Sequence, residues 1–154
     1  MDAPSPEQPC SPDSSRALAL SGMTRPTWDG RRPWGLVWCC ADQPHIPELL
    51  LGAQPGELMV LQGAATLPSS SVTADIVWAA REHPVSHLFV IGHTGCRLLQ
   101  HALHAEQSAP LVNERVARMG LFTGHDVDDV SRTVAHHSAS TLRRELARHG
   151  LALE

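Results

Sequence analysis

Trp34-Gly35-Leu36-Val37-Trp38-Cys39-Cys40-Ala41-Asp42 is the stretch that decides the fold. It is short, apolar and rich in large side chains, and it is bounded by Pro33 and Asp42. A run of that kind reads as a strand buried on both faces, as in a parallel sheet. A second run, Leu88-Phe89-Val90-Ile91, has the same character and closes on Gly92-His93-Thr94-Gly95-Cys96. Between the two, Val72, Ile76, Val77 and Ala80 recur at helical spacing. The unit is therefore strand, crossover helix, strand. Ligands of open α/β sheets bind beyond the carboxyl ends of the strands, which is where Cys40, Asp42, His93 and Cys96 all fall.

Working outward, Ile46 to Leu51 reads as a short helix and 52–57 as a turn, followed by a strand at Leu58-Met59-Val60-Leu61. Ser69, Ser70 and Ser71 can cap the crossover helix, and His83-Pro84 ends it, since proline lacks the amide donor. Cys96 to Ala105 reads as a helix with Cys96 in its first turn, where the macrodipole favours a thiolate. The pattern breaks at Glu106 to Pro110. A last helix runs from about Asp126 to His149, with Val127, Val130, Val134, Leu142 and Leu146 as its apolar stripe, and Leu151 to Leu153 begin a further strand. Residues 1–27 carry five prolines and five serines and read as a flexible arm. Residues 28–154 form the domain. Cys10, in the arm, has no ligand-type neighbours and reads as an incidental thiol.

The chain has 154 residues and a net charge of −4, enough for one domain with a real core. All twelve basic residues are arginine, and no basic stretch exceeds Arg31-Arg32, so a nucleic-acid footprint is not expected. No apolar run approaches the roughly 20 residues of a membrane span, and the N-terminus lacks the pattern of a secretory signal. Cysteines in these positions point to metal binding in a reducing cytosol rather than to disulfides, so a cytoplasmic location is expected.

Two cysteines and one histidine make a tetrahedral zinc site with one position left over, the arrangement of catalytic zinc. Asp42 lies near enough in sequence to fill or guard that position. His101 with His104, and His136 with His137, sit at spacings that resemble metal pairs but have no thiol or carboxylate partners at ligand spacing. Trp28, Trp34, Trp38 and Trp78 read as core or interface residues.

These residues resemble the β-class carbonic anhydrases. The resemblance rests on Cys40-Ala41-Asp42-Gln43-Pro44, on the turn Gly52-Ala53-Gln54-Pro55-Gly56-Glu57, and on Gly92-His93-Thr94-Gly95-Cys96-Arg97, in that order and at matching separations. It covers about Pro33 to Leu99. It implies an α/β fold with a central, mostly parallel sheet flanked by helices. It also implies a zinc ion held by Cys40, His93 and Cys96. In the active form of the family a zinc-bound water of lowered pKa yields the hydroxide that attacks carbon dioxide to give bicarbonate. A homodimer or higher homo-oligomer is the expected assembly. Adjacent strand residues face opposite ways, so only one of Cys39 and Cys40 reaches the metal. The offset to Asp42 selects Cys40, which leaves Cys39 as a core thiol.

The departures bear on activity. Pro44 stands where the family carries the arginine that pairs with the aspartate, Gln62-Gly63-Ala64-Ala65 replaces an Arg-Asn-Ala-Gly type sequence, and Arg97 replaces a glycine. Asp42 then reads three ways: a fourth zinc ligand, a dyad carboxylate with a substitute cation from Arg97, Arg31 or Arg32, or a helix N-cap. Two functions follow. One is a zinc lyase hydrating carbon dioxide, weak or gated by Asp42, or a relative acting on another small heterocumulene. The other is a catalytically silent zinc-binding scaffold or regulatory subunit.

Overall fold

The computed structural model describes residues 32–104, 110–120 and 126–154. The arm expected at 1–27, Cys10, Trp28, Arg31 and the domain boundary at 28 lie outside the described residues.

Three parallel strands, β1 (Gly35–Cys40), β2 (Leu58–Gly63) and β3 (His87–Ile91), form a sheet in the order β2-β1-β3. Gly35 of β1 aligns with Leu58 on one side and His87 on the other. All six residues of β1 are buried, as a central strand with both faces covered requires. β3 differs from the expectation of a second fully buried strand. All five of its residues are half-buried, because β3 lies at the margin of the described sheet. Its outer side meets the chain end. Leu88 N–H donates to the Glu154 carbonyl at 2.9 Å, and Glu154 N–H donates to the Ser86 carbonyl at 3.0 Å.

The alternation of β1 sorts its side chains into two layers. Leu36 and Trp38 pack against Ile76, Val77 and Ala80 of α2 (Ser70–Glu82) and against Leu142 and Leu146 of α5 (Val127–Arg148). Val37 and Cys39 point the other way, onto Ala53 and Leu58, with Trp34, Leu51 and Phe89 around them. Each fully buried Leu or Val contributes about 1.5–3 kcal/mol, so β1 is the anchor of the domain.

Helix ends follow their local chemistry. Pro47 opens α1 (Pro47–Leu51), where its missing donor costs nothing. Ser69 Oγ accepts from the Val72 N–H at 3.2 Å and caps α2. The Asp126 carboxylate accepts from Asp128 and Asp129 N–H and caps α5. α3 (Arg97–Leu103) is shorter than expected, and Cys96 is its N-cap rather than a member of its first turn. Helix α4 (Pro110–Arg118) was not anticipated. Its Val112 and Val116, four residues apart, are both buried, but two apolar positions are too few for a periodic signal.

Between β2 and α2 the chain makes a tight turn, Ala64–Thr66, with Ala65 at φ 55° and Thr66 at φ 54°. Left-handed backbone at a non-glycine residue costs on the order of 1–3 kcal/mol. A Cβ at Gly63, just before the turn, would stand 2.3 Å from the Trp38 ring. Only glycine lets β2 end against that indole. Ala65 packs in one cluster with Cys40, Cys96, Leu99, Val116, Val130 and Val134, at the carboxyl end of the sheet.

Candidate metal centre

Cys40 is the last residue of β1, opposite Gly63 in the register. Cys96 precedes the first turn of α3, and the two sulfurs lie 3.7 Å apart, both buried. Two sulfurs about 2.3 Å from a zinc ion at the tetrahedral angle stand about 3.8 Å from each other. The spacing fits that ion. His93 completes the group, with ligand atoms of Cys40, His93 and Cys96 all within 4.8 Å of one another, and this is the one such group among the described residues.

The histidine is oriented for the role. Its Nδ1 lies 3.0 Å from the Thr94 carbonyl, which can only accept, so Nδ1 carries the proton. Nε2 is left with a free lone pair, buried and without a hydrogen-bond partner. A buried polar atom in that state costs roughly 1–3 kcal/mol unless something binds it. A carbonyl on the far nitrogen is the usual second partner of a metal-bound imidazole. The donor set, the sulfur spacing and the orphaned nitrogen together fit zinc.

Either thiol can donate to the other: the hydrogen bond between them favours ionisation of one sulfur, while burial resists it. At Cys96 the amides of Leu98 and Leu99, in the first turn of α3, favour the thiolate. Cys39 faces the opposite layer, 3.8 Å from the Leu61 carbonyl, and burial raises its pKa.

Asp42 has a partner after all. Arg97 N–H donates to Asp42 Oδ2 at 2.7 Å, and Arg97 Nε and Nη2 donate to Oδ1 at 3.1 and 3.0 Å. The Arg97 amide, together with its guanidinium, holds the Asp42 carboxyl below its ordinary pKa range. Of the candidate cations, Arg97, one residue after the last candidate ligand, is the one that pairs with Asp42 in place of the arginine missing at Pro44. The clasp also serves α3. Cys96 gives that helix no side-chain cap, and Asp42 places a carboxylate on its first orphaned amide.

Two residues that the sequence reading missed fix the loop from His93 to Cys96. Gly95, at φ 62°, turns its N–H onto Asp128 Oδ1 at 2.7 Å. Ser131 Oγ donates to the His93 carbonyl at 2.7 Å. Both belong to α5. The available signal was a serine on a buried stripe, since Ser131 and Ser138 interrupt Val130, Val134 and Leu142 at a seven-residue interval. A cavity of about 340 Å³ opens beside His93, lined by Val90, Thr94, Asp128, Arg132, Ala135 and His136 among others.

With this geometry in place, comparison with known proteins gives a consistent answer. The family profile described as carbonic anhydrase matches residues 35–148. The chain belongs to the β-class carbonic anhydrase family. Carbonic anhydrase 2 of Mycobacterium tuberculosis is 27% identical over 124 residues, an alignment covering 73% of this chain and 60% of that protein. The chain thus spans about three-fifths of the length of that relative. Among solved structures, the β-carbonic anhydrase CafA of Aspergillus fumigatus superposes with a TM-score of 0.61 at 19% identity, over 91% of this chain and 77% of that one. A tetrameric β-carbonic anhydrase of Sordaria macrospora gives 0.54 at 20% identity, over 86% and 74%. Likeness at these identities supports the shared α/β fold.

Proposed function

We propose that this chain is a zinc-dependent carbonate dehydratase, catalysing the reversible hydration of carbon dioxide to bicarbonate. The observation that carries the reading is His93 Nε2, buried and unpartnered beside two sulfurs at zinc spacing. Cys40 Sγ, His93 Nε2 and Cys96 Sγ would hold the metal, leaving one position of a tetrahedral shell for solvent. When bound, zinc supplies a nucleophile from water near neutral pH and Lewis acidity toward a substrate oxygen.

The protein's own residues decide whether that position stays open. Asp42, which could close it as a carboxylate ligand, is engaged on both oxygens by Arg97. We therefore assign Arg97 the role that the family gives to the residue at the place of Pro44. Asp42 keeps lone pairs free to accept a hydrogen bond from water and so to orient it. This arrangement favours an active lyase over a gated or silent one.

Residues 28–154 form the zinc-binding unit in this reading, and the protein acts as a homo-oligomer. Exposed Ile46, Leu49 and Leu50 on and beside α1 support self-association. No helix among the described residues is long and apolar enough to cross a membrane. Free thiols at a metal centre suit a reducing cytoplasm.

Stopped-flow carbon dioxide hydration between pH 6.5 and 9, with zinc content measured on the same sample, tests the proposal. The expected result is a rate proportional to zinc-loaded protein, lost on chelation and regained with zinc. A fully loaded chain no faster than buffer would establish the silent-scaffold alternative.

A further inference from the structure

Beneath the metal centre, two side chains from different elements converge on one carbonyl. Trp38 Nε1 and Ser138 Oγ each donate to the Thr66 carbonyl oxygen at 2.7 Å. Trp38 precedes Cys40 by two residues on β1, and Ser138 belongs to α5. Both are shut away from solvent, at 1% and 0% exposure, and Thr66 itself is 2% exposed.

The carbonyl belongs to the left-handed turn after β2. Neither Ala65 nor Thr66 is glycine, and a β-branched residue at positive φ is a rare state that its surroundings must impose. Thr66 Oγ1 adds a bond to the Ala65 carbonyl at 2.7 Å. The turn abuts the candidate ligands: Ala65 packs in one buried cluster with Cys40 and Cys96. What holds the turn therefore also holds the wall against which the Cys40 sulfur is set, and outer-shell contacts of that kind orient a ligand.

We propose that Trp38 and Ser138 are positioning residues for the metal, acting through the Thr66 carbonyl on the turn that packs Ala65 against Cys40. The inference rests on the metal reading above but not on the reaction. Trp38 could have been only a core indole and Ser138 only a helix serine. Their shared acceptor makes them one device, which links β1 and α5 to the sulfur.

The experiment compares wild type, Ser138→Ala, Trp38→Phe and Ile76→Val as full-length chains. Zinc affinity is read by competition with a chromophoric chelator, and the cobalt(II)-loaded proteins are read by their sulfur-to-metal charge-transfer band. Ser138→Ala folds, because alanine favours a helix interior and Trp38 still partners the carbonyl. Each of the two device variants should weaken zinc binding severalfold and shift the cobalt band. The double variant should lose about ten- to a hundredfold, the range for outer-shell partners of a metal ligand. Ile76→Val trims the same core layer, so it should lower the melting temperature and leave affinity and band unchanged. Device variants with wild-type affinity and band, or an Ile76→Val that moves both as far, overturn this inference alone. A wild-type chain that takes up neither metal overturns the metal reading, and this inference with it.

Discussion

Cys40 and the His93–Cys96 pair reach one centre by different means. Cys40 ends a central strand whose six residues are all buried and whose backbone is laddered on both sides. His93 and Cys96 lie on a loop that leaves a half-buried strand, and side chains from elsewhere pin that loop. Asp128 takes the Gly95 amide, Ser131 takes the His93 carbonyl, and Asp42 takes the Arg97 amide. The first half of the site is therefore as stable as the core. The second is as stable as a few polar contacts, each worth about 0.5–1.5 kcal/mol net. A metal that joins the halves would strengthen the weaker one most.

The largest effect should come from removing a ligand on either side. A structural metal coupled to folding supplies on the order of 10 kcal/mol. Cys40→Ser and Cys96→Ser should each bring zinc content, measured by elemental analysis, down to background. Full zinc in either variant would remove that cysteine from the site.

The next test separates the halves. Val37 is 0% exposed and faces away from the metal. Val37→Ala should cost the metal-free protein about 2–3 kcal/mol in denaturant unfolding, from lost burial and the cavity left behind. Its zinc affinity should not change. Asp128→Ala should do the reverse, with a smaller loss of about 0.5–1.5 kcal/mol in the metal-free protein, the worth of one exposed hydrogen bond. Zinc affinity should fall severalfold as the Gly95 amide loses its anchor. Equal effects of both variants on both readouts would erase the distinction.

A smaller effect is expected at Arg97. Its side chain is 78% exposed, so the guanidinium adds only about 0.2–1 kcal/mol to the clasp on Asp42. The backbone amide survives any substitution. Arg97→Ala should therefore reduce hydration near pH 7 by about 1.4- to fivefold, the factor that energy corresponds to. The deficit should shrink at higher pH, where hydroxide competes better with carboxylate for the fourth position. Adding Pro44→Arg to Arg97→Ala should recover activity by restoring a cation to Asp42. No change in Arg97→Ala would mean that the amide alone holds Asp42.

The same contrast explains what could be read from the sequence. β1, the crossover helix with its Ser69 cap, the α5 stripe and the three ligand-type residues were legible, because apolar runs and strand ends are local properties. Half-burial of β3 was not, since a strand's place in the sheet depends on neighbours distant in the chain. The Asp42–Arg97 clasp joins residues 55 positions apart, and a charge pair of that separation leaves no periodic trace. Arg97 could be named only as one of several candidate cations. Asp128 and Ser131 act on the loop from a helix 33 and 38 positions further on. The left-handed Ala65–Thr66 turn was hidden for another reason. Neither residue type advertises positive φ, and the bonds to Thr66 from Trp38 and Ser138 exist only once β1 and α5 are packed.

An ion held by three residues, with Asp42 kept from the fourth position by Arg97, would be visible in a crystal structure of the zinc-loaded protein at pH 7. The expected structure has one zinc per chain on Cys40 Sγ, His93 Nε2 and Cys96 Sγ, a solvent atom in the remaining position, and Asp42 still bonded to Arg97. Zinc ligated by the Asp42 carboxylate, with Arg97 released, would contradict it.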